Sequence, residues 1–323
     1  MTKRNVPSAY LGWLPSMLKP LPGTEAATTG DAESGNLVLG AATGYDVADV
    51  APFVRSLRAV YRGAAALIVD DTPPLIEFLA SHGVEAIPAA ASSLSWSPHP
   101  VMARFAAFDH ILNSRSACGS VLLTDVRDVV FQADPFEPPP ARLELFVEFE
   151  GGRLGEHAFN TKHLRAMVGD DMAATVADRP CLCVGTVIGS KANVSRLCRT
   201  ILMIGAIPRS QVGGAFGADQ AACNLAAHLG LVEHEVKANY GRVATLGLTS
   251  SDALTVRDGL IVNPDGGVSA LVHQYDRHPA LMDMVHKHWG ADLERRERSR
   301  PATLGGRAEK LRNSVLRRLP ELR

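Results

Sequence analysis

Asp125 and Asp128 stand one turn apart directly after a short apolar run, in the stretch Val121-Leu122-Leu123-Thr124-Asp125-Val126-Arg127-Asp128. The run does not alternate with polar residues, which predicts a strand covered on both faces. Carboxylates at the carboxyl end of such a strand occupy the place where open α/β sheets bind ligands. Hard oxygen donors of this kind hold Mg²⁺ or Mn²⁺, and the ion neutralises phosphate charge, so the pair points to a divalent-metal site for a diphosphate. The same residues have a plainer use: a strand-ending Asp caps turns, and Arg127 can pair with either acid.

The elements that must position this pair alternate along the chain. Strands are predicted over 36–42, 65–69 and 84–88, with helices over 47–61, from Pro73-Pro74 onward, and over 100–114. The helix over 47–61 carries Val50, Phe53, Val54, Leu57 and Val60 at helical spacing. The β-α-β-α-β-α-β order predicts an α/β, Rossmann-like, mostly parallel sheet with helices on both faces. Beyond the acidic strand, 143–149 reads as a strand, 151–178 as a polar excursion that can be helical, 181–189 as a buried strand and 191–204 as a helix. A glycine loop over 213–217 leads into Asp219-Gln220 and a helix to about 229. Strands follow over 232–236 and 254–262, the latter with a turn at Asp258-Gly259, and Leu271-Val272-His273 ends a late strand.

This arrangement predicts one domain over 36–290. Residues 1–35, rich in Pro, Gly, Ser and Thr, read as a poorly ordered leader. Residues 291–323 read as a basic tail in which 307–319 can form an amphipathic helix, with Leu311, Val315, Leu316 and Leu319 on one side. Such a tail suits peripheral contact with an anionic membrane surface. No stretch approaches the ~20 apolar residues of a membrane span, nor does the amino terminus offer a signal-peptide core. A cytoplasmic protein, peripheral to the inner face of a membrane, is expected.

A net charge of −1 gives no global pull toward nucleic acid. The five cysteines, odd in number and in apolar surroundings, fit reduced buried thiols better than a disulfide framework. Cys181-Leu182-Cys183 lacks the spacing of a zinc pair, and no second Cys or His pair follows it. The segment 185–191 has the wrong spacing for a P-loop, and 40–44 lacks the dinucleotide fingerprint. An aspartyl-phosphate phosphatase would carry its acids after the first strand; here they follow the fourth.

Leu123-Thr124-Asp125-Val126-Arg127-Asp128, followed by Phe131-Gln132 and Asp134-Pro135-Phe136, resembles the acidic motif of GT-A-type glycosyltransferases, with Asp-x-x-Asp in place of the usual Asp-x-Asp. The resemblance spans roughly 36–289. It implies a GT-A-type fold and a metal-dependent glycosyltransferase that moves a sugar from a nucleotide-diphospho-sugar donor to a glycan, lipid or protein acceptor. Mn²⁺ or Mg²⁺ would be held by Asp125, Asp128 and His273, the last resembling the late histidine of some of these families. Asp219-Gln220 resembles the Asp-Gln element of glycogenin-like enzymes, which implies catalytic contacts with the transferred sugar; Asp219 alternatively caps its helix. Thr43 and Tyr45, at the end of the first strand, are the expected base or ribose contacts, and Arg104 and Arg127 the expected phosphate contacts. The alternatives are a nucleotidyltransferase acting on sugar phosphates, whose basic Gly-rich signature 36–45 does not show, and an inactive nucleotide-sugar binding module.

Overall fold

A computed structural model describes residues 6–18, 35–89, 97–115, 118–207 and 216–294. The first half alternates as expected: β1 (Leu37–Ala41), β2 (Ala64–Val69), β3 (Glu85–Pro88) and β4 (Ser120–Thr124), interleaved with α2 (Val47–Val60), α3 (Pro73–Ser81) and α4 (Pro100–Ser114). Ahead of them lies α1 (Val6–Met17). After β4 come β5 (Val129–Phe131), β6 (Glu144–Val147), α5 (Ala158–Val168), α6 (Asp170–Ala174), β7 (Leu182–Ser190), α7 (Lys191–Gly205) and α8 (Ala218–His228). The chain continues through β8 (Glu235–Lys237), β9 (Val243–Thr245), β10 (Thr255–Arg257), β11 (Leu260–Val262), β12 (Leu271–His273) and α9 (Pro279–Trp289).

Seven strands form the central sheet in the order β3-β2-β1-β4-β7-β6-β8. Neighbours are parallel except on either side of β7, which runs against both β4 and β6. The sheet is therefore mostly parallel and Rossmann-like. Its side chains alternate between two cores. Leu37, Leu39, Val121 and Leu123 pack with Phe105 of α4 and Ile201 of α7, whereas Val38 and Leu122 face Phe53 and Leu57 of α2. Helices thus cover both faces, which is why these strands read as unbroken apolar runs.

Growth of the sheet reverses at β1. The chain adds β2 and β3 on one side, then returns to lay β4 on the other. This is a topological switch point, and the crevice outside the carboxyl ends of β1 and β4 is the place for a ligand. A second, three-stranded sheet, β5-β12-β9, stands beside it. There β12 pairs antiparallel with β5, placing His273 opposite Val129, Val272 opposite Val130 and Leu271 opposite Phe131. β10 and β11 form a hairpin whose Asp258 and Gly259 both take positive φ (55° and 79°), the primed turn that Asp-Gly favours.

The leader and the short strands β5 and β9 differ from the sequence expectation. Within the leader expected to be poorly ordered, α1 forms a helix that buries Tyr10, Trp13 and Leu14 against the core. The prolines of this segment hid a helical spacing: Pro7 lies in the first turn, where its missing N–H costs nothing, and Pro15 near the end. The polar excursion over 151–178, which the sequence allowed to be helical, carries α5 and α6. The tail helix expected over 307–319 lies outside the described residues. Among the described residues, no helix is long and apolar enough to cross a membrane.

Candidate metal centre and ligand cleft

The carboxyl end of β4 delivers Asp125 to the switch-point crevice, and the backbone holds it there: its N–H donates to the carbonyl of Gly185 on β7 at 2.7 Å. Asp128 precedes β5, and its carbonyl accepts from the N–H of Gln274 at 2.8 Å. Since β12 ends at His273, the β5–β12 register sets His273 directly beside Asp128. A slip of one residue would turn the imidazole to the opposite face of the small sheet.

The three side chains converge. Nε2 of His273 lies 3.5 Å from Oδ2 of Asp125 and 3.9 Å from Oδ1 of Asp128. Both separations exceed a hydrogen bond, and this buried nitrogen has no hydrogen-bond partner. One donor atom from each residue fits within a group spanning 4.8 Å. The other ring nitrogen, Nδ1, faces Sγ of Cys183 at 3.6 Å. Space between the ligands is kept by Gly185: a Cβ there would sit 2.7 Å from Oδ2 of Asp125 and 2.8 Å from Nε2 of His273. A buried, unpartnered imidazole nitrogen facing two carboxylates across a gap that only glycine leaves open fits a small divalent cation.

Arg104, from α4, closes one side. Its guanidinium pairs with Oδ1 of Asp125 and, at 3.1 Å, with Oδ2 of Asp219. Burial works against the charge on Arg104, but Asp125 and Asp219 outweigh it and raise its pKa. The two motif acids are driven in opposite directions. Burial pushes the Asp125 carboxyl up, yet Arg104 and His273 hold it below the usual carboxylate range. Asp128, with no arginine contact of that kind, is pushed up by burial, with Asp125 and Asp276 adding to the rise. For His273, burial favours the neutral ring, but the Cys183 sulfur and both carboxylates outweigh it and raise its pKa well above the ordinary value. Three acidic or basic groups crowded in this way mark a site where a cation can replace a proton.

These residues line a cleft of about 450 Å³ together with Tyr45, Arg127, Asp219 and Gln220. Tyr45 therefore lines the same cleft as the metal group. Thr43 does not: it lines an adjoining cavity of about 300 Å³ with Trp13, Ile68 and Ser97, which Arg104 and Ala41 separate from the cleft. Arg127 reaches the cleft but is paired with Asp276 at 3.1 Å. Asp219 lies in the first turn of α8 after the N-cap Gly217 and is 5 % exposed. Its principal partner is Arg104; burial raises its pKa while Arg104 lowers it.

Gln220 turns away from the metal group. Its Nε2 donates to Oε2 of Glu148 at 2.7 Å and to Oδ1 of Asn160 at 3.0 Å. Glu148, which lines the cleft from the end of β6, and Gly185 are cleft residues that the sequence reading passed over. Glu148 carried the same signal as Asp125, an acid closing the apolar run Leu145-Phe146-Val147. Against known proteins, the chain matches no protein-family model and no curated sequence.

Proposed function

We propose that this protein is a metal-dependent glycosyltransferase of the GT-A type, moving a sugar from a nucleotide-diphospho-sugar to an acceptor. The observation that carries the reading is the unpartnered, buried Nε2 of His273 facing Asp125 and Asp128 at the switch point of a Rossmann-like sheet. Asp125, Asp128 and His273 would hold Mn²⁺ or Mg²⁺, which when bound neutralises the donor diphosphate and stabilises the departing nucleotide. With Nδ1 facing the Cys183 sulfur, the ring turns Nε2 toward the ion, which would take the place of the Nε2 proton. Arg104 anchors Asp125 and Asp219 in one orientation, so the carboxylate beside the metal and the carboxylate beside the sugar are set by a single rigid guanidinium. Asp219 then orients sugar or acceptor hydroxyls, and Tyr45 lies on the nucleoside side of the cleft.

The test is release of nucleoside diphosphate from a panel of nucleotide sugars, with Mn²⁺ and with a chelator. At least one donor is expected to be consumed in a Mn²⁺-dependent manner, by hydrolysis or by transfer. Asp219→Asn is expected to lower that turnover ~10²-fold or more, the scale of a positioned carboxylate, while Mn²⁺ binding is retained. Turnover by no donor, or turnover indifferent to the chelator, contradicts the proposal.

A further inference from the structure

The sheet delivers a second carboxylate to the cleft in the same way as Asp125. β4 and β6 both run against β7, so they are parallel to each other, and Asp125 and Glu148 follow their carboxyl ends at one edge of the sheet. With one strand between them, β4 and β6 stand roughly 10 Å apart. Both side chains line the cleft. A gap of that size takes a phosphate, a sugar carbon and an attacking oxygen in line. We propose that Glu148 is the catalytic base of the transfer, removing the proton from the acceptor hydroxyl so that the sugar is transferred with inversion. The assignment rests on the glycosyltransferase reading.

One oxygen of this carboxylate is fixed and the other is left over. Oε2 accepts from Nε2 of Gln220 at 2.7 Å, from Nδ2 of Asn160 at 3.2 Å and from Sγ of Cys181 at 3.2 Å. The backbone is tied as well, the Glu148 N–H donating to the Cys181 carbonyl at 2.8 Å. Among the described residues, Oε1 makes no hydrogen bond. A carboxylate held at one oxygen by three donors presents the other in a set direction, which is the preorganisation a general base needs.

Its surroundings separate it from the other acids of the cleft. Asp125 and Asp219 share Arg104, and Asp276 holds Arg127. The donors on Glu148 are two amides and a thiol, and among the described residues it has no ion pair, so no cation competes with the acceptor proton. Phe159 and Phe216, both exposed, line the cleft as well, with ring centroids 5.9 Å apart. Apolar rings beside an unpaired carboxylate receive a neutral acceptor, not a diphosphate. In the transfer the acceptor O–H bond breaks, its proton passing to Oε1 as the oxygen bonds to the anomeric carbon. The bond from that carbon to the phosphate oxygen breaks, and its electron pair leaves with the nucleoside diphosphate. Attack opposite the leaving group inverts the configuration, and water afterwards takes the proton from Glu148.

Hydrolysis of nucleotide sugars by the full chain with Mn²⁺, water standing in for the acceptor, tests this. Glu148→Gln keeps an amide oxygen for the donors around Oε2 and removes the base. It should lower kcat ~10²-fold or more, with donor KM, Mn²⁺ affinity and the melting transition unchanged. Proton magnetic resonance of the wild-type product, at enzyme concentrations that outrun mutarotation, should show the anomer opposite to the donor's; this measurement decides the matter if the variant does not fold. A wild-type product that keeps the donor's configuration would overturn the role of Glu148 while leaving the glycosyltransferase reading intact. So would a folded Glu148→Gln with undiminished kcat, or one whose loss falls on donor KM alone. A wild type that consumes no donor in a Mn²⁺-dependent manner would remove that reading and this role with it.

Discussion

Gly185 and His273 carry opposite halves of one requirement, room and a lone pair. A methyl group on Gly185 would enter the gap between Oδ2 of Asp125 and Nε2 of His273. Gly185→Ala is therefore expected to lower Mn²⁺ affinity at least ~10-fold, read by titration of the Mn²⁺ paramagnetic signal, and an unchanged titration would show that no ion sits there. His273→Ala removes the donor itself and should cost ~10–100-fold in the same titration. The acids were legible from residue type and position, because an apolar run ending in Thr-Asp declares a strand end. Gly185 was not, because its role is the absence of a side chain at a point fixed by β7 and β12 together. Gln220 was legible as a polar helix-start residue, but its partners Glu148 and Asn160 were not, since nothing local says where an amide points.

At the scale of elements, the long apolar strands and the helices with clear 3.6-residue spacing fell where the sequence placed them: α4 spans the expected 100–114, and α7 begins at the expected Lys191. The strands that bring His273 home were the hard part. β5, β9 and β12 are three residues each, too short to show alternation, and their pairing is written in contacts between distant segments. One such contact can be tested. Arg242, beside β9, pairs with Glu144 of β6 at 2.9 Å, with side chains 8 % and 5 % exposed, and also donates to the carbonyls of Pro135 and Pro138. It joins the small sheet to the central one. Arg242→Ala leaves a buried carboxylate with only Lys237, 3.8 Å away, as a counter-charge. A loss of about 3 kcal/mol in denaturant unfolding is expected, toward the lower end for a broken buried pair; a change within error would mean the sheets hold together without it.

For the whole molecule, the ligand cleft exists because the central sheet reverses its growth at β1 and the small sheet closes over the reversal. α1 belongs to the same assembly: Trp13 is 1 % exposed in the main core and also lines the cavity beside Thr43. Trp13→Ala should cost about 3–5 kcal/mol in urea unfolding, and a loss below about 1 kcal/mol would make α1 an appendage rather than part of the core. The β-α order made the mostly parallel sheet legible, whereas α1 was masked by its prolines. Calorimetric titration of nucleoside diphosphates, with and without Mn²⁺, measures the joint occupancy of metal and phosphate that the proposed function requires. One nucleoside diphosphate is expected to bind at least ~10-fold more tightly with Mn²⁺, and that gain should vanish in Asp128→Asn and His273→Ala. Binding of every nucleoside diphosphate that is absent, or equally tight with and without Mn²⁺, would contradict a metal-bridged nucleotide site at Asp125, Asp128 and His273.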